Sequence, residues 1–344
     1  MSGFFTQRLF VRLSRPRISE SYRFSRALFF DTIQVTIFSP EKRRAWRFTL
    51  TKSNFDYFEA FSRNIGWVTR EEQASLRNKR IAIAGLGGVG GGHLLTLARL
   101  GVGAFNLADF DTFGLANFNR QAGAMMSSID RPKLDVLVEM AKDINPELDV
   151  RLFPNGVSEK NLPEFLRGVD LYVDGLDFFV FQARRATFAA CETLNVPAIT
   201  AAPLGMGTAV LTFLPGKMTF EEYFRLEGHT ESEQALRLLL GLSPRMLQFG
   251  YLADPTAVKL QERRGPSTIM ACQLCAGVAA TEALKLLLKR GKVMAAPWGW
   301  HFDAYRNKLI RTWRPWGNRN PIQRIALAIA KRQLSNFTRY VDHV

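Results

Sequence analysis

Two stretches of this chain hold residue types spaced for work on a phosphorylated ligand. The first is Gly85-Leu86-Gly87-Gly88-Val89-Gly90, which directly follows the apolar run Ile81-Ala82-Ile83-Ala84 and precedes a helical pattern. Its GxGxxG spacing falls on Gly85, Gly87 and Gly90. Missing side chains let the backbone turn tightly and approach a phosphate, while free N–H groups and the positive end of the following helix attract the charge. Asp109 lies nineteen residues past Gly90, at the end of the next predicted strand, placed to accept from a ribose hydroxyl. A glycine-rich turn without a ligand is the plainer alternative. The second stretch runs on from that acid as Asp109-Phe110-Asp111-Thr112-Phe113-Gly114-Leu115-Ala116-Asn117-Phe118-Asn119-Arg120-Gln121, then Arg131-Pro132-Lys133. Cations a short way past a ribose acid can reach the outer phosphates and carry the charge that develops on a pyrophosphate leaving group. A hydride-transfer site has no use for them, which sets a nucleoside triphosphate above NAD as the ligand.

These residues need elements to hold them. From residue 80 onward, apolar β-branched runs alternate with helical patterns, the signature of a parallel sheet with crossover helices. Strands are predicted over residues 80–84, 104–109, 150–153, 171–174, 197–200 and 209–214. Helices are predicted over 93–100, 133–144, 161–166, 181–194 and 268–289, the last stopped by Gly291. Residues 215–266 interrupt this alternation and read as an insert passing over the sheet. Before it all, Ile33-Gln34-Val35-Thr36-Ile37 and Trp46-Arg47-Phe48-Thr49-Leu50 read as a small β appendage. The expected architecture is α/β: a Rossmann-like, doubly wound, mostly parallel sheet with that N-terminal β appendage and a basic C-terminal extension.

The 344 residues carry a formal charge of +15. The excess sits at the ends: residues 1–47 hold ten Lys/Arg and three acids, and residues 289–344 hold twelve Lys/Arg and two acids. The middle is close to neutral, as in an ordinary enzyme. Three regions follow: a basic N-terminal extension over 1–53, a nucleotide-binding domain over 54–291, and a basic Trp/Arg-rich extension over 292–344. With 47% hydrophobic and 22% charged residues, disorder, collagen and coiled coil are excluded. No continuous apolar run reaches the ~20 residues of a bilayer span, so no transmembrane segment is expected. Three cysteines (Cys191, Cys272, Cys275) are too few for a disulfide framework, which favours a reducing, cytoplasmic setting. The arginine- and serine-rich first thirty residues leave an organelle matrix as the alternative.

The motifs together resemble those of the ThiF/MoeB/HesA family, bacterial relatives of the ubiquitin-activating enzymes, over about residues 63–291. The resemblance implies a Mg-ATP-dependent adenylyltransferase that activates a carboxylate, typically the C-terminal glycine of a ubiquitin-like or sulfur-carrier protein, and that works as a homodimer. By position, Gly85, Gly87 and Gly90 match the phosphate turn and Asp109 the ribose acid. Asn117, Arg120 and Gln121 match the Asn-x-x-Arg-Gln element on the triphosphate, and Lys133 matches the phosphate lysine. Asp177, in Asp174-Gly175-Leu176-Asp177, matches the acid that binds Mg²⁺. Arg63, in Arg63-Asn64, resembles the arginine lent across the dimer to the other subunit's ATP. Each has a plainer alternative: Asn117, Arg120 and Gln121 as helix caps, Lys133 as a solvated lysine, Asp177 as an N-cap.

The sequence also departs from the family. Phe178 follows Asp177 where asparagine is usual, and Ala116 stands where a serine commonly precedes the asparagine. Between Pro215 and Met270 there is no cysteine to take the activated acyl group, and the single Cys272-Gln273-Leu274-Cys275 pair cannot supply four zinc ligands. Those two cysteines are expected to be buried where the long helix packs, and His93 to be a packing residue. The adenylate is therefore expected to pass directly to a nucleophile from a partner. Two alternatives stay open: a tRNA-modifying, dehydratase-like adenylating enzyme using the basic ends on RNA, and a nucleotide-binding scaffold without catalysis.

Overall fold

The computed structural model describes residues 55–259 and 262–332, with backbone also at 34–37, 46–49 and 333–341. Residues 1–56 form a unit of their own. In it, β1 (Gln34–Ile37) pairs antiparallel with β2 (Trp46–Thr49), Val35 opposite Phe48. The arginine- and serine-rich residues 1–30, on which the organelle alternative rests, fall outside the described residues.

The second unit spans residues 57–344. Its elements run α1 (Tyr57–Ala60), α2 (Arg70–Arg77), β3 (Arg80–Ala84), α3 (Gly90–Arg99), β4 (Ala104–Ala108), α4 (Lys133–Ile144), β5 (Asp149–Phe153), α5 (Leu162–Phe165) and β6 (Leu171–Asp174). They continue with α6 (Phe181–Thr193), β7 (Ala198–Leu204), β8 (Gly207–Phe213), α7 (Phe220–Phe224), α8 (Glu231–Leu242), α9 (Ile269–Leu287), β9 (Trp298–Asp303), β10 (Lys308–Trp313) and α10 (Pro321–Val341). The strands form one sheet in the order β10-β9-β8-β7-β6-β3-β4-β5. From β7 to β5 every pairing is parallel, and β8, β9 and β10 add antiparallel strands on one side.

Alternation along the strands divides the core in two. Ile81, Ile83, Leu107 and Val173 face α3, α4 and α9, whereas Ala82, Ala84, Ala108 and Tyr172 face α5 to α8. Sidedness of this kind follows from the period of two in a strand. Helix α9 is apolar and long enough, at nineteen residues, to pass for a membrane span by composition. Its Cys275, Ala279 and Ala283 are instead fully buried against the sheet.

Two sequence expectations change. The chain order places β3 and β6 side by side at the point where the winding reverses, in keeping with the expected doubly wound sheet, but the Trp-rich tail is no separate extension. Strands β9 and β10 complete the sheet, so the boundary drawn at residue 291 cuts through a single compact unit. Nor is the 215–266 stretch merely an excursion: Phe220, Tyr223 and Phe224 of α7 are at most 3% exposed and fill the second core. Their aromatic cluster is contiguous along the chain, so no 3.6- or 2-residue period betrayed it.

Candidate functional site

Ligands of open α/β sheets bind where the strand order reverses, beyond the carboxyl ends of the strands. Here that point lies between β3 and β6, and a glycine directly follows each strand. Gly85, with φ +82°, and Gly175 are packed backbone to backbone; a Cβ on either would strike the other's main chain. Gly90, opening α3, is closed in by the carbonyl of Gly85. The middle glycines differ. A Cβ on Gly87 would meet only Gln121 Nε2 at 3.8 Å, so this part of the turn stays open to a ligand.

The loop after β4 is tied to that turn. Asp109 accepts from Leu86 N at 2.6 Å through one oxygen and from Asp111 N at 2.8 Å through the other. Asp111 in turn pairs with the buried Lys133 at the start of α4, Nζ to Oδ2 2.8 Å. Lys133 is therefore not a solvated lysine. Residues 114–131 form an excursion held shut by Phe113, whose N–H donates to Arg131 O at 3.0 Å. Inside it, Asn117 Oδ1 accepts from Gly114 N at 3.0 Å, so this side chain does cap its own turn. Arg120 reaches across the glycine turn, with Nε 3.5 Å from the Cβ position of Gly88. Its Nη1 donates to Ala116 O and Asn119 Oδ1. Gln121 is buried beside Gly87 with an Oε1 that has no partner, an acceptor left for a ligand or water.

Across the crevice, Asp174 and Arg184 shape the loop after β6. The buried pair (Nε to Oδ2, 2.9 Å) is completed by Thr200 Oγ1, Tyr172 OH and Leu176 N on the carboxylate. The guanidinium also donates to the carbonyls of Leu176, Asp177 and Phe178 at 2.6, 2.9 and 3.2 Å. This pins the loop while leaving Asp177 exposed, one oxygen accepting from Phe179 N. Phe178 packs edge-on against Phe179 and Phe181.

Under the turn sit Cys272, Cys275 and His93. Cys272 Sγ lies 3.3 Å from the Cβ position of Gly88, and Cys275 donates to Thr208 Oγ1 at 3.2 Å. Burial raises the Cys272 thiol pKa, against the pull of the Ser267 hydroxyl and Arg120. His93 is fully buried with neither ring nitrogen partnered, and burial lowers its pKa to about 4 against the pull of Asp174. All three are buried, as expected from the sequence.

The structure thus brings Gly85, Gly87, Gly90, Asp109, Arg120, Gln121 and Lys133 to one crevice, with Asp177 on the loop that Gly175 holds against it. Arg63 stands apart. Its neighbour Asn64 donates to Leu100 O at 3.2 Å, at the other end of α3 from the glycine turn. Ten helical residues separate those ends by about 15 Å. Sequence reasoning missed Asp111, Gly175 and Arg184. Asp111 was visible as the second acid of Asp109-Phe110-Asp111; Gly175 shows only when β3 and β6 become neighbours, and Arg184 only when α6 folds back over Asp174.

The residues present fit ATP: an open glycine turn, two cations and an orphaned buried acceptor. Among the described residues no group of three or more metal-binding side chains occurs. Asp177 alone would hold magnesium, which accepts one carboxylate when phosphate oxygens and water complete its shell.

Fold and crevice together define a doubly wound α/β domain with a glycine turn where the strand order reverses. The sequence profile of the ThiF family matches residues 61–324, and the chain belongs to that family. It is 35% identical over 129 residues to the tRNA threonylcarbamoyladenosine dehydratase of Haemophilus influenzae, covering 37% of this chain and 49% of that protein. It is 32% identical over 148 residues to the sulfur carrier protein ThiS adenylyltransferase of Escherichia coli, covering 43% and 58%. The chain thus spans about half the length of these curated relatives. Among solved structures, E. coli MccB with AMPCPP and MccA aligns with a TM-score of 0.59 at 18% identity, covering 78% of this chain and 75% of that one. E. coli tRNA N6-threonylcarbamoyladenosine dehydratase aligns at 0.51 and 21% identity, covering 67% and 95%. At such identities these structures bear on the fold alone.

Proposed function

We propose that this protein is a Mg-ATP-dependent adenylyltransferase that activates a carboxylate. The observation that carries the reading is Arg120 lying across Gly88 while Lys133, through Asp111 and Asp109, is tied to the same turn. Bound ATP would supply an electrophilic α-phosphorus and pyrophosphate as leaving group. The backbone of the open turn and the N-terminus of α3 receive the phosphates. Arg120 and Lys133 neutralise the charge that grows on the departing oxygens. Asp109 would hold the ribose, Gln121 would line the polyphosphate side next to the turn that Asn117 caps, and Asp177 would hold magnesium.

The carboxylate we favour is the C-terminal glycine of a ubiquitin-like or sulfur-carrier protein, with the adenylate passed directly to an external nucleophile. A homodimer completes the site, because Arg63 cannot reach the crevice of its own chain and is lent to the other subunit. A tRNA-directed reading, with the basic ends on RNA, is favoured by the likeness to threonylcarbamoyladenosine dehydratases and by the lack of cysteine between Pro215 and Met270. A reducing, cytoplasmic setting belongs to the same proposal, all three cysteines being unpaired.

ATP–pyrophosphate exchange tests it, with a sulfur-carrier protein ending in Gly-Gly or a threonylcarbamoyl-modified tRNA as the carboxylate. Exchange with one of them, lost in Asp177→Ala, is expected. Survival in Asp177→Ala refutes the magnesium assignment, and no exchange with either favours a non-catalytic scaffold.

A further inference from the structure

Helix α10 packs against the rest of the unit with one side and leaves an apolar stripe on another. The packed side faces α8: Gln323 is buried there, Leu327 is half-buried, and Arg324 and Lys331 flank a groove shared with Glu233 and Arg237. Lys331 Nζ reaches Glu233 at 3.2 Å. On the other side Ile322, Ile325 and Ile329 fall within an arc of about 60° on the helical wheel. They are 80%, 63% and 52% exposed, and among the described residues nothing covers them. Three isoleucines in register toward water form an interaction stripe rather than scattered surface residues.

The surroundings say what kind of partner fits. Trp316, 63% exposed, precedes the helix, and the two are joined where Asn320 Nδ2 donates to Pro315 O at 3.5 Å. Residues 304–332 hold eight Lys/Arg and no Asp or Glu; of these Arg314 is buried against carbonyls of α8 and Lys331 pairs with Glu233, while Arg306, Lys308, Arg311, Arg319 and Arg324 are exposed. Arg332 is exposed on the flank of the isoleucine arc. RNA would use the cations but has nothing for three isoleucines, which offer no stacking plane. A second copy would set two surplus-positive surfaces against each other. An anionic bilayer takes all three features: isoleucines at the acyl boundary, tryptophan at headgroup level and arginines among the phosphates.

We infer that the outer face of α10 docks on an anionic phospholipid surface, lying in the interface without crossing it. This goes beyond the adenylation chemistry and does not depend on it. A single such helix gives reversible attachment, strengthened by lipid charge and weakened by salt.

Flotation of the full chain with vesicles tests the inference, using phosphatidylcholine alone or with about a third phosphatidylglycerol. The protein is expected to float with the anionic vesicles at ~0.1 M salt, and several-fold less at ~0.5 M salt or with neutral vesicles. The triple variant I322S/I325S/I329S is expected to lose about tenfold or more of the bound fraction while melting as the wild type does, since it alters exposed positions. Failure of the wild type to float with anionic vesicles overturns the inference, as does equal flotation of the triple variant. So does a triple variant that floats normally but loses self-association or affinity for a short single-stranded RNA, which would assign the stripe to another partner.

Discussion

Gly85 and Gly175 directly follow neighbouring strands and meet backbone to backbone, so that the crevice of this protein is set by two residues with no side chains. Gly90 is locked against the same carbonyl. The glycines of the turn should therefore fail differently. Gly90→Ala places a Cβ inside a carbonyl that cannot move and is expected to cost several kcal/mol, about 3 or more, or to abolish folding. Gly87→Ala enters open space beside Gln121 and should leave the melting temperature within a few degrees of wild type while weakening ATP at least tenfold. Melting curves with a nucleotide titration check both.

The Asp174–Arg184 pair is buried on both sides, with every carboxylate contact satisfied. Removing one partner leaves a buried charge alone, so Arg184→Ala is expected to destabilise by about 3–5 kcal/mol. Arg184→Lys keeps the charge but loses the fork that holds three carbonyls of the loop. It should remain folded and raise the magnesium requirement of any exchange activity, with a smaller effect on ATP affinity.

Lys133 is a buried cation held by a half-exposed Asp111. Substituting it with methionine takes a charge out of the interior without leaving a cavity. Lys133→Met should accordingly fold with stability within about 1 kcal/mol of wild type and bind ATP at least tenfold more weakly. A large stability loss in denaturant unfolding would make this lysine structural.

His93 makes stability depend on pH. Its folded pKa is near 4 against 6.5 for the ordinary imidazole, because burial without a partner favours the neutral ring. Between those values the unfolded chain binds the proton and the folded chain does not, so stability rises with pH there. The contribution is complete above about pH 6.5 and is lost progressively toward pH 4, by an amount of about 3 kcal/mol. His93→Leu removes this group, and its denaturant midpoint should fall less steeply than that of wild type between pH 6.5 and 4.

Much of the crevice was legible because its chemistry is local in sequence. The turn from Gly85 to Gly90, Asp109, Arg120, Gln121 and Lys133 follow one strand–turn–helix–strand passage, and the structure gathers them where the topology requires. What stayed hidden depends on how separate elements pack. Gly175 looks like any residue after a strand until β6 lies beside β3, and Arg184 reads as a helix-surface cation until Asp174 is seen beneath it. Strands β9 and β10 were obscured by tryptophan, proline and arginine, a composition that reads as a tail although the backbone extends the sheet.

The central claim is that this crevice holds ATP through its glycine turn and arginine. Titration of the full-length protein with ATP and magnesium, beside Gly87→Ala and Arg120→Ala and with NAD as competitor, tests it most directly. The account predicts ATP binding tighter than ~1 mM, at least tenfold weaker in both variants, with no displacement by NAD. Absence of ATP binding, or NAD binding that Arg120→Ala leaves intact, would contradict it.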